Sequence, residues 1–141
     1  MRSRPRRPES LESRLEQRIA RKRGDVFLRS DFSDLGGYDQ VGRALLALVR
    51  KGRLMKVGYG LYARARPSML DGSPMPTKPI GDLAEEALAR IGVTTGPTKW
   101  ERAYNAGTST QVPTGRVVGV VGRVRRQLTY NGFPLKYERV G

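Results

Sequence analysis

The sequence predicts an α+β fold, with helices and a hairpin in its N-terminal half and a small helical and β-hairpin C-terminal region. Three observations lead there. Apolar residues recur at helical spacing from Leu11 to Ile19, from Tyr38 to Val49 and from Ile80 to Ile91. Strand-like runs flank two glycine-containing turns, Gly58-Tyr59-Gly60 and Asn131-Gly132. Between the halves, residues 67–79 hold four prolines, which exclude a helix and a central strand and mark a Pro-rich linker or extended crossover.

Residues 1–9 carry Arg2, Arg4, Arg6 and Arg7 with no apolar stretch to hold them to a core, so a disordered basic arm is expected. From Ser10, a plausible N-cap, Leu11, Leu15 and Ile19 form one narrow stripe of an amphipathic helix. Gly24 is the expected C-cap, with Arg21, Lys22 and Arg23 placed against the negative helix end. Val26-Phe27-Leu28 suits a brief strand. Ser30 or Asp31 then caps one or two helical turns whose Phe32 and Leu35 face inward, and Gly36-Gly37 breaks the chain.

From Tyr38 to Lys51, at 100° per residue, Tyr38, Val41, Leu45, Leu48 and Val49 share one side, and Asp39, Gln40, Arg43, Ala47 and Arg50 share the other. Gly52 ends this helix. Arg53 to Val57 and Leu61 to Arg64 follow as a hairpin in which Tyr62 is expected in the core and Tyr59 sits at the tip. Helix, strand, helix, turn, helix and hairpin within residues 10–66 is the order of a winged helix-turn-helix.

Residues 80–141 are expected to form a small α+β C-terminal domain. It holds a helix from Ile80 to Ile91, a second around Pro97 to Asn105, a valine-rich strand from Arg116 to Gly122, and strands Gln127–Tyr130 and Phe133–Val140 around Asn131-Gly132. Trp100 is expected to be core, since a lone Trp on a helix is more often packed than stacked on a base or partner.

Composition narrows the chemistry. The 141 residues carry 27 Lys+Arg against 13 Asp+Glu, a formal +14 that calls for a polyanionic partner. Up to Arg66 there are 17 basic and 7 acidic residues, leaving +10 in the first half. Cys and His are both absent, which excludes disulfides, thiol nucleophiles, imidazole bases and nearly all zinc, haem and iron-sulfur sites. No enzyme activity and no cofactor is expected. Gly115, Gly119 and Gly122 lack the Gly-Lys-Ser/Thr of a phosphate loop, and Asp31, Asp34 and Asp39 read as caps and solvated groups before they read as a metal site. No apolar run reaches the roughly 18 residues of a membrane span, and the basic N-terminus is no secretory signal, so a cytoplasmic protein is expected.

Double-stranded DNA is the partner that suits this charge. A helix enters the major groove with residues near its N-terminus at base edges, so Asp39, Gln40 and Arg43 are the reading candidates: Gln40 pairs bidentately with adenine and Arg43 with guanine. Arg50, Lys51, Arg53, Lys56 and Arg64 are assigned to the backbone, Tyr59 either touches sugar or phosphate or folds back on the hairpin, and Arg4, Arg6 and Arg7 are assigned to a minor groove. The alternatives are a basic protein that offsets an acidic protein partner, and an RNA binder with Trp100 and the C-terminal sheet as platform.

The runs from Gly24 to Phe32, Tyr38 to Leu45 and Val49 to Arg64 resemble the AbiEi-type antitoxin family over roughly residues 10–66. The resemblance implies a bacterial or archaeal, nucleoid-associated antitoxin of a type IV toxin-antitoxin system. Its winged helix-turn-helix would repress its own operon at an operator, and its C-terminal region would counter a nucleotidyltransferase-like toxin or serve assembly, as a monomer or a homodimer. A winged-helix regulator without an antitoxin role, or an antitoxin that binds its toxin directly, are the other readings of the same resemblance.

Overall fold

The computed structural model describes residues 10–110, 116–130 and 132–141. The expected arm, with Arg4, Arg6 and Arg7, lies outside the described residues, as do Gly115 and Asn131.

Helix α1 spans Leu11–Arg21, and the Ser10 hydroxyl accepts the Ser13 N–H at 3.1 Å. The helix stops at Arg21 with Lys22 as its extended C-cap, two residues before the expected Gly24 cap. A side chain does the capping: Arg64 Nη2 donates to the carbonyls of Ile19, Lys22 and Gly24 at 2.9, 3.1 and 3.2 Å. The orphan carbonyls are met by a guanidinium, so no left-handed glycine is needed.

Strand β1 is Val26–Leu28, followed by a single 3-10 turn at Arg29–Phe32 that buries Phe32. Asp31 accepts the Leu28 N–H at 3.0 Å and stabilises that turn. Helix α2 is Tyr38–Arg50. It ends as a Schellman motif, with Gly52 N–H on Val49 O and Arg53 N–H on Leu48 O, both at 2.9 Å. Gly52 is required twice: its φ is +77°, and a Cβ there would sit 2.5 Å from the Gly72 carbonyl oxygen.

Strands β2 (Leu54–Gly58) and β3 (Leu61–Pro67) form an antiparallel hairpin turning at Tyr59-Gly60, and β1 pairs with the other edge of β3, giving the order β1-β3-β2. The sheet is covered on both sides. Phe27, Leu54 and Tyr62 face α1 and α2, where they join Leu15, Leu45 and Leu48. Val26, Met55, Val57 and Ala63 alternate to the opposite face. Period-two alternation into two cores explains why the strands lack a fully polar face.

The second core is supplied by the C-terminal half: Leu83, Ala87 and Leu88 of α3 (Ile80–Arg90), with Val118 and Leu128 from further along. Burying each such leucine contributes about 1.5–3 kcal/mol, so residues before and after the proline-rich stretch share one apolar interior. Part of that stretch pairs too: β4 (Pro74–Pro76) lies antiparallel to Ala65–Pro67 of β3. It is short and proline-flanked, as an edge strand tolerates.

Helix α4 (Lys99–Asn105) is capped reciprocally by Thr98 and Glu101. It buries none of its own residues, and Trp100, expected in the core, is 49% exposed. The reason is that α4 docks by polar contacts, through buried Thr98 and through the Lys99 N–H on Glu138 at 2.7 Å. The single expected strand from Phe133 to Val140 is two. Strand β6 (Thr129–Tyr130) pairs antiparallel with β7 (Phe133–Pro134), whereas β8 (Lys136–Arg139) runs parallel to β5 (Val117–Val120). The chain redirects at buried Leu135, because buried β5 needs a ladder partner for its backbone groups. Among the described residues no helix is long and apolar enough to cross a membrane.

Candidate nucleic-acid interface

The first turn of α2 is organised by Arg29. Its N–H bonds the Gly60 carbonyl at 3.0 Å, which fixes it beside the β2–β3 turn. From there the guanidinium crosses α2: its Cζ lies 3.5 Å from the Tyr38 ring centroid, Nε donates to the Tyr38 carbonyl at 3.0 Å, and Nη2 is 3.9 Å from Asp39. The crossing is possible because residue 42 is glycine. A Cβ at Gly42 would lie 2.1 Å from Arg29 Nη2.

Tyr38 was expected on the buried side of α2, and it is 61% exposed because its ring lies on Arg29 instead of on the core. Its hydroxyl is 3.1 Å from that of Tyr59 at the hairpin tip, so helix start and hairpin tip are joined. This shared hydrogen bond raises the Tyr38 pKa above its ordinary value, with desolvation adding to the shift. Tyr62, by contrast, is buried as its alternation implied, and burial raises its pKa.

Between α2 and the hairpin runs a groove of about 480 Å³, lined by Arg29, Asp39, Gly42, Arg43, Leu46, Lys56 and Tyr62. Three cations face one carboxylate. Arg43 and Lys56 are exposed and make no ion pair among the described residues, so both charges are open to a ligand. Arg50 lies two turns along the same helix face as Arg43, also exposed. The groove therefore suits a phosphate-bearing polymer better than a small apolar ligand.

Other assigned residues point elsewhere. Gln40 is exposed, but its Oε1 accepts the Gly37 N–H at 3.3 Å and so caps α2. Lys51 pairs with Glu12, and Arg53 approaches Glu16 at 3.7 Å, which turns both toward α1. Arg64, assigned to the DNA backbone, is turned inward: besides capping α1 it donates to Asp25 at 3.1 Å. That is a correction, since its Nε and Nη2 donors are taken up by a carboxylate and three carbonyls. Asp25 also pairs with Lys78 and has its pKa lowered, first by the Lys78 hydrogen bond.

Sequence reading missed Arg29, Tyr38, Gly42 and Arg126, whose guanidinium donates to the Tyr59 carbonyl. Only Gly42 carried a signal, as a glycine inside a helical pattern at the edge of the apolar stripe.

The geometry defines a mixed helix-and-strand protein with a basic groove beside a hairpin. Over residues 14–129 the chain matches a family of unknown function, DUF6088, and it belongs to that family. The match spans α1 through the start of β6, and so covers both the groove and most of the C-terminal half. No curated protein and no solved structure matches the chain.

Proposed function

We propose that residues 10–66 are a winged helix-turn-helix and that the chain binds duplex DNA with α2 as the reading helix. The observation that carries this is the convergence of Arg29, Arg43 and Lys56 on one groove between the start of α2 and the hairpin. The sheet order β1-β3-β2, with α1 and α2 on one face, supports the same reading. In this arrangement α2 enters the major groove, Arg43 reaches a base edge, and Lys56 and the Tyr59 tip meet the flanking backbone.

In the role that the AbiEi-type resemblance implies, the protein represses its own operon by covering the promoter, without catalysis, as the antitoxin of a nucleotidyltransferase-type toxin. Fluorescence anisotropy with the duplex upstream of its gene, an unrelated duplex and a single-stranded RNA tests the binding reading. The expected result is salt-sensitive duplex binding that favours the upstream sequence. Absence of salt-sensitive binding to either duplex overturns it. Co-purification of the toxin with DNA affinity absent favours a direct protein-binding antitoxin.

A further inference from the structure

We infer that Arg123 and Arg125, on the segment leading from β5 to β6, form a second backbone-binding arm that continues the duplex-binding face past the hairpin tip. This rests on the DNA-binding reading above and extends it to the C-terminal half, which the sequence leaves without a nucleic-acid role.

The C-terminal end of the segment is fixed against the hairpin and against the C-terminal strands. Arg126 donates to the Tyr59 carbonyl at the tip itself. Two residues on, Leu128 is buried and packs on β2 at Gly58, where a Cβ would come within 3.2 Å of Leu128 Cδ2 and 3.4 Å of the Gln127 carbonyl. The Tyr137 hydroxyl donates to the Arg126 carbonyl at 2.8 Å and accepts the Leu128 N–H at 3.1 Å. Gln127 Nε2 bonds the Leu128 and Leu135 carbonyls at 3.0 and 3.1 Å. This anchoring holds residues 126–128 beside the tip, with Arg125 the next residue along the chain.

The two arginines flank a residue that packs inward. Val124 is half-buried against the second core, and Arg123 and Arg125 on either side of it are exposed. Neither arginine makes an ion pair among the described residues. Positions two apart in the chain lie at most about 7 Å apart at Cα, so the two arginines sit beside one stretch of backbone. Two exposed guanidiniums so close in the chain and without an acidic partner among the described residues suit a polyphosphate backbone. Between β6 and the hairpin lies a groove of about 420 Å³, lined by Lys56, Gly58, Tyr59, Gln127, Thr129 and Gly132, which shares Lys56 and Tyr59 with the proposed interface and reaches to within two residues of Arg125. That continuity favours DNA over an acidic protein as the occupant.

The test is the salt dependence of duplex binding by the full chain and by R123Q/R125Q, with R123K/R125K as the charge-preserving control. Arg126 is left in place because it holds the hairpin. The slope of log affinity against log salt is expected to fall by about 2 for the Gln pair, equally on the upstream and an unrelated duplex, and to recover with the Lys pair. A wild-type protein that binds duplex, with an unchanged slope in the Gln pair, overturns this inference and leaves the DNA-binding reading standing. Wild-type protein that binds no duplex overturns both. A Gln pair that loses a protein partner but keeps its DNA slope assigns the arginines to that partner, against the inference.

Discussion

The hydroxyls of Tyr38 and Tyr59 lie 3.1 Å apart, and this contact joins the first turn of α2 to the tip of the β2–β3 hairpin. Arg29 reinforces the junction from beneath, bonding Gly60 through its N–H and stacking on Tyr38 through its guanidinium. The two elements proposed to straddle a DNA strand are thus held in fixed register before any ligand arrives, which lowers the ordering cost of binding.

Tyr59→Phe removes one partner of that hydrogen bond. The Tyr38 pKa, raised chiefly by the bond, is expected to move down toward the ordinary tyrosine value of about 10. Tyr137 is raised by burial and should stay raised. NMR titration of the tyrosine ring carbons checks this. The sign is that of a raised group: the junction is intact below about pH 10 and is lost as pH rises through the elevated Tyr38 value. An unmoved Tyr38 titration in Tyr59→Phe would show that the hydroxyls do not share a proton in solution.

Gly42→Ala separates folding from binding. Alanine is the better helix former by roughly 1 kcal/mol, but its methyl occupies the position of Arg29 Nη2. Arg29 has a flexible side chain and swings away. Thermal unfolding should therefore be unchanged or slightly raised while duplex affinity falls several-fold; equal affinity would mean that Arg29 is dispensable to the groove.

Gly52→Ala has no such escape, because the obstacles are the backbone of Gly72 and Pro67 and the positive φ. A loss of at least about 1 kcal/mol is expected, beyond the usual cost of alanine at a left-handed position. Urea unfolding measures it, and a loss under a few tenths of a kcal/mol would refute the close approach of the β3–β4 turn.

Asp25 links β1 to β3 through Arg64, to the proline-rich stretch through Lys78, and through its N–H to Glu86 of α3 at 3.1 Å. Its lowered pKa means that the native state binds fewer protons there than the unfolded chain. Stability is therefore full above the ordinary carboxylate value near 4 and falls as pH drops through the depressed native value. Asp25→Asn should cost about 1 kcal/mol at pH 7, after allowance for solvent screening of the pairs, and should flatten this acid limb. Chemical denaturation at pH 7 and pH 3 reads both; an acid limb as steep as in wild type would place the titration elsewhere.

Much of residues 10–66 was legible because its elements carry local signals. Leu15 and Ile19 keep helical spacing, Gly52 stands where the Schellman closure needs it, and Gly60 sits in a two-residue turn. The roles of single cations were not legible, since Arg43, Lys51 and Arg64 are alike in sequence. The partners of Lys51 and Arg64, namely Glu12, Ile19 and Asp25, lie 39 or more positions away and are brought close only by tertiary packing, and no local signal marks Arg43 as the one left open. The same holds for the C-terminal half, where the parallel pairing of Val117 with Lys136 is non-local and Trp100 sits on a helix docked by polar contacts. No periodicity reports either.

The most direct test of duplex recognition by α2 is a comparison of Arg43→Ala with Lys56→Ala on the upstream duplex and on an unrelated one, at one fixed salt concentration. Arg43→Ala should cost about 1–3 kcal/mol on the upstream duplex and much less on the unrelated one, so that discrimination shrinks. Lys56→Ala should weaken both about equally. If Arg43→Ala leaves the ratio of the two affinities at the wild-type value, α2 does not read the sequence and the assignment fails.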